Sequence, residues 1–98
     1  SAASDVYKRQ IQSIDNNFLI YKAICLIETK QLPEAINLLE QLVSDGEGTE
    51  YYQQAYWYLA ISLLRNHEKE EAMQVLEKIV NTAGIYGNEA STLIKCLK

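Results

Sequence analysis

Apolar residues in this chain return at helical spacing, in stretches separated by short polar breaks. Tyr56, Leu59, Ala60 and Leu63 recur at intervals of three, one and three residues, which places them on one side of an α-helix. A polar break at 65–68 follows, and Ala72, Met73, Leu76, Ile79 and Val80 make the next stripe. The same alternation runs upstream from Phe18 to Val43, and a last stripe starts near Asn88 and passes through Leu93 and Leu97. The pattern predicts two helical pairs and a final helix, an all-α fold. Candidate helix starts fit it. Asp15 or Asn16 caps the first helix and Thr49 caps the third, after the stop "SDGEG". Pro33 falls in the first turn of the second, where its missing N–H has no partner to lose.

The two pairs are copies of each other. "FLIYKAICLIETKQLPEAINLLEQLV" (Phe18 to Val43) lies over "AYWYLAISLLRNHEKEEAMQVLEKIV" (Ala55 to Val80) at a constant offset of 37 residues, without a gap. Tyr21/Tyr58, Ala23/Ala60, Ile24/Ile61, Leu26/Leu63, Glu34/Glu71, Ala35/Ala72, Leu39/Leu76, Glu40/Glu77 and Val43/Val80 are identities. Self-similarity at such a period marks a stacked repeat whose units cannot bury their apolar faces alone.

The repeat resembles the tetratricopeptide repeat (TPR) family, a helix–turn–helix unit of about 34 residues. The family's structural positions fall on Tyr56, Leu59, Ala60, Leu63, Ala72 and Leu76 in copy two, and on Leu19, Lys22, Ala23, Leu26, Ala35 and Leu39 in copy one. Lys22 departs from the expected Leu, Gly84 stands where Pro often ends a unit, and the three extra residues of the longer period fall in "SDGEGTEYYQ". The resemblance implies a right-handed helical-hairpin (TPR-like) solenoid of about two repeats plus a C-terminal helix. Copy one is expected over 16–49, copy two over 53–86, and a partial third unit or capping helix over 87–98. Ala23, Ala35, Ala60 and Ala72 fall where paired helices approach closely and a large side chain would force them apart.

The resemblance also implies a partner surface, the concave face lined by the first helix of each unit. It maps onto Asn17, Ile20, Ile24 and Ile27 in copy one and onto Gln54, Trp57, Ile61 and Leu64 in copy two. At about 100° per residue, the apolar residues of the copy-two helix fill an arc of about 200°, wider than the stripe of a little over 100° that packing requires. Three readings compete for Trp57, Ile61 and Leu64: a groove for an apolar or amphipathic peptide or partner helix, cover by further repeats of the same chain, and self-association. The first helix, with Phe18, Tyr21 and Cys25 opposite Ala23, is apolar nearly all round, which predicts burial. Family members that clasp the carboxylate of chaperone tails use Lys, Asn and Arg where this chain has Ile20, Ile24, Tyr58, Asn88 and Thr92; no cation is among these, so that partner is disfavoured.

Residues 1–10, "SAASDVYKRQ", lack the apolar period. They back-translate without a gap into TCGGCAGCGTCAGATGTGTATAAGAGACAG, which resembles a sequencing-library adapter. They are therefore expected to be a translated artefact, with 11–98 a TPR-like repeat domain from a longer protein. Setting aside Asp5, Lys8 and Arg9 takes the formal charge from −4 to −5. An acidic chain without a basic cluster argues against nucleic acid as a partner, and no apolar run reaches the roughly 20 residues that span a bilayer.

No constellation supports an enzyme, a cofactor or a metal. Cys25 and Cys96 have no metal-type spacing and read as free thiols, reduced or partly buried. His67 sits in a turn, and "DGEG" lacks the spaced ligands of a calcium loop. Tyr51 and Tyr52, in the extra segment, are expected to be exposed. The function these features support is a protein–protein interaction or scaffolding module. The alternative is an architectural spacer within a larger envelope, signalling or enzymatic protein.

Overall fold

The computed structural model describes residues 18–48, 51–82 and 84–98. The expected caps Asp15, Asn16 and Thr49 and the candidate contact Asn17 lie outside the described residues, as do residues 1–10. Five helices are present among the described residues: α1 (helical over 18–28), α2 (Leu32–Asp45), α3 (Tyr52–Arg65), α4 (Lys69–Asn81) and α5 (Gly87–Leu97). Each of α2, α3 and α4 packs on the next in chain order. Over the described residues the fold is an all-α, TPR-like helical solenoid.

The copies share their turn geometry as well as their helices. Lys30 and His67, one period apart, both adopt left-handed backbone (φ 64° and 63°). This conformation lets the chain turn back and satisfy the carbonyls left over at a helix end. The Gln31 N–H donates to the Leu26 carbonyl and the Glu68 N–H to the Leu63 carbonyl, each at 2.8 Å, in the Schellman arrangement. Neither turn carries the glycine that usually marks this motif, so the sequence pattern held no signal for it.

Two adjoining cores hold the stack. Ile20, Ala23 and Ile27 of α1 join Ala35, Ile36, Leu39 and Leu42 of α2, Ala55, Leu59 and Leu63 of α3, and Ala72 of α4. Ala60, Leu76, Ile79 and Ala90 form the second core, bridging α3, α4 and α5. Ala23, Ala35, Ala60 and Ala72 are wholly buried, as are Leu39 and Leu76. Ser62, equivalent to Cys25, is also wholly buried and donates to the Tyr58 carbonyl at 2.8 Å, so its hydroxyl is satisfied.

Three expectations change. Phe18 and Tyr21 are 65% and 67% exposed, so α1 is not covered all round. Cys25 and Cys96 are free, as expected, but exposed and not partly buried. Tyr51 and Tyr52, by contrast, are half-buried. Tyr51 packs on the first core, in a space that Gly46 leaves open: a Cβ there would lie 2.7 Å from Tyr51 Cε2. Tyr52 meets Tyr56 edge-on, ring centroids 4.8 Å apart.

Candidate partner-binding face

The first helices of the hairpins, α1, α3 and α5, carry two hollows. One, of about 270 Å³, lies between α1 and α3 and is lined by Ile20, Tyr21, Ile24, Gln54 and Tyr58. The other is a more open shelf between α3 and α5, lined by Trp57, Asn88, Glu89, Thr92 and Leu93. Each sets apolar walls beside amide and hydroxyl groups, the mixture that both buries a ligand and orients it.

The predicted contacts divide accordingly. Ile20, Ile24 and Gln54 meet at the first hollow, and Trp57 lines the second. Ile27 and Ile20 are 4% and 5% exposed and belong to the first core. The reason is geometric: at about 100° per residue, Ile20, Ala23 and Ile27 lie within an arc of about 60°, so packing Ala23 against the neighbouring helix takes both isoleucines inward. Ile20 shows only an edge at the base of its hollow. Ile61 and Leu64 are half-buried and line neither hollow. Among the repeat positions, Leu59 and Leu63 are buried, whereas Leu26 and Tyr56 are half-buried at the core edges. The face gains Tyr58, Asn88 and Thr92, mapped before only as clamp positions, and Tyr21, Glu89 and Leu93, which the family mapping passed over because it treats each helix alone, whereas hollows form between helices.

Trp57 is not a free side chain. Its indole lies parallel to the Tyr86 ring, with centroids 5.1 Å apart and planes 1° apart. This stack joins α3 to the start of α5 across a connection that no local periodicity encodes. Gln53 braces the same junction, its Oε1 accepting the Ile85 N–H at 2.8 Å. Gly84 leaves room for that carboxamide, since a Cβ there would sit 2.5 Å from Gln53 Oε1.

Charges are sparse on this side. Arg65 Nη1 lies 3.6 Å from Glu28 Oε1, but both side chains are more than half exposed and the pair contributes little to stability. The Tyr52 phenol is pushed up to about 12, first by its hydrogen bond with Tyr56, then by burial and by the charges of Tyr56 and Glu47. Burial, followed by Tyr58 and Glu89, raises Tyr86. A phenol whose folded pKa exceeds its unfolded value of 10 favours the folded state below pH 10 and loses that contribution as pH rises through the folded value. Stability should therefore hold level to about pH 9 and fall between about pH 10 and 12. In Tyr56→Phe, absorbance titration at alkaline pH should place the Tyr52 transition closer to 10; an unmoved transition would assign the shift to burial and the Glu47 charge.

The family model described as Tetratricopeptide repeat matches residues 54–83. Over that stretch the chain is similar to a tetratricopeptide repeat. The match covers α3 and α4, the copy-two hairpin. No curated protein matches the chain, and no solved structure matches it. The TPR unit is a protein–protein interaction module, typically without catalysis of its own, so the partners it implies are proteins. Among the described residues, no cluster of His, Cys, Asp and Glu is placed to hold a metal, and no helix is long and apolar enough to cross a membrane.

Proposed function

We propose that this protein binds an apolar or amphipathic peptide, or a partner helix, across the successive first helices α1, α3 and α5. The observation that carries the reading is the pair of hollows, each walled by residues from two neighbouring first helices. Trp57 is the natural anchor, because a partly enclosed Trp is a frequent hot spot and its burial contributes strongly to binding. The lining residues of the two hollows include one carboxylate, Glu89, and no cation. A neutral or basic segment fits this face, and the acidic tails of chaperones do not.

The Trp57–Tyr86 stack favours a second reading, in which Trp57 docks α5 and the unit is an architectural spacer. A peptide library selected on the folded protein separates the two. The binding account expects enriched sequences with regularly spaced apolar residues. Their affinity should fall about 30-fold or more in Trp57→Ser, the loss expected of a hot spot, and measurably in Gln54→Ala, whose exposed side chain is not needed for folding. Melting temperature is followed alongside. A melting point lowered by Trp57→Ser, together with no enriched peptide, would support the spacer and contradict the groove.

A further inference from the structure

α5 is held less firmly than the helices it packs on. Ala90 is its one buried residue, whereas α2, α3 and α4 bury four, five and three. Ala90, Leu93, Ile94 and Leu97 recur at i, i+3, i+4 and i+7, and seat one face of α5 against Ala60 of α3 and Leu76 and Ile79 of α4. Its other face, with Asn88, Glu89, Thr92, Lys95 and Cys96, is exposed, and no side chain caps its first turn. Local stability follows buried apolar contact, so such a helix opens before the rest.

Two fastenings at the α4–α5 connection, residues 82–86, hold it in place. The Tyr86 ring stacks on Trp57, and the Ile85 N–H donates to Gln53 Oε1. The joint beneath them is not filled. A cavity of about 60 Å³ lies among Tyr52, Tyr56, Ile79 and Tyr86, and atoms that face a void forfeit dispersion contact. Departure of α5 bares an apolar groove between α3 and α4, in which Tyr56, Trp57 and Val75 surround Ala60, Leu76 and Ile79. An amphipathic helix laid in such a groove is a common recognition mode, read through anchors at i, i+3, i+4 and i+7. The helix already seated there shows what fits.

We propose that α5 is a releasable helix that keeps the α3–α4 groove closed to an amphipathic partner helix of the same spacing, a small residue followed by aliphatic residues three, four and seven places on. The proposal does not depend on the peptide face, whose hollow between α1 and α3 survives the release. Hydrogen exchange of the full chain without ligand tests the release. The amides from Ala90 to Leu97 should open together, at least about tenfold more often than those of Leu59, Leu63 and Leu76. Gln53→Ala removes one hydrogen bond and should speed all of them about threefold or more. Tyr86→Ala removes the stack and should do the same. Both variants should leave α1 and α2 within about twofold of the parent. Rates that only grade inward from the C-terminus, which is fraying, or equal acceleration of every helix, overturn the proposal. A fluorescein-labelled peptide of residues 87–98, kept reduced at Cys96, stands for the partner. It lacks Ile85 and Tyr86, so neither fastening can hold it directly. Apparent affinity scales with the open fraction, so the peptide should bind Gln53→Ala more tightly than the parent by the factor that exchange measures, within about twofold. The same peptide with Leu93→Ser and Ile94→Ser should not bind. Should Gln53→Ala fail to fold, Tyr86→Ala carries both arms. No saturation by the peptide at about 1 mM, or equal affinity for parent and variant, overturns the partner.

Discussion

Leu76→Ala will cost the folded protein about 2–5 kcal/mol, and Leu39→Ala a similar amount. Both leucines are wholly buried and lie one 37-residue period apart, at the centre of the second helix of each hairpin. Leu76 packs among Ala60, Ile79 and Ala90, so its removal opens a void where α3, α4 and α5 meet. The short side chains of Ala60 and Ala90 cannot reach into that void, which places the cost in the upper part of the range. Domains of this size are stable by about 5–15 kcal/mol, and either change consumes a large fraction of that. Urea unfolding of the two variants measures the losses. A loss below about 1 kcal/mol at either position is what a solvent-facing or loosely packed leucine would give, and it would contradict the packing described.

Ala60→Leu should destabilise by about 1–3 kcal/mol, through the opposite fault. Ala60 is wholly buried against the same leucine and Ala90, where its methyl group sets how closely α3 approaches its neighbours. Three added carbons have no cavity to enter, so the helices must separate or the side chain must leave its rotamer. At about 4–8 °C per kcal/mol for a domain of this length, the melting point falls by roughly 4–24 °C. Gln74→Leu, on the exposed face of α4, is the control and should change stability by less than about 0.5 kcal/mol. Equal melting points for both variants would remove the close-approach argument.

Alignment of the two copies makes the scaffold legible. A 37-residue offset that pairs Ala23 with Ala60, Ala35 with Ala72 and Leu39 with Leu76 picks out residues that are all wholly buried. Repetition is informative there because each unit must solve the same packing problem. The partner face is less legible, since its hollows depend on two helices at once. Ile20 and Ile27 share an arc with Ala23 and follow it inward, whereas Trp57, equivalent to Ile20, stays half-open and is covered by Tyr86 from another element. The burial of Tyr51 depends on the space left by Gly46 five residues earlier, a contact that apolar periodicity does not register. The left-handed turns at Lys30 and His67 leave no mark in the sequence because neither position is glycine.

The amide footprint of a selected peptide, read from ¹H–¹⁵N spectra of the labelled protein, tests the recognition account most directly. Shifts should gather at Tyr21, Ile24, Gln54, Trp57, Tyr58 and Thr92 on α1, α3 and α5, and leave the exposed residues of α2 and α4 unmoved. A footprint centred instead on Asn37, Glu40 and Gln41 of α2 or on Gln74, Glu77 and Lys78 of α4 would contradict it.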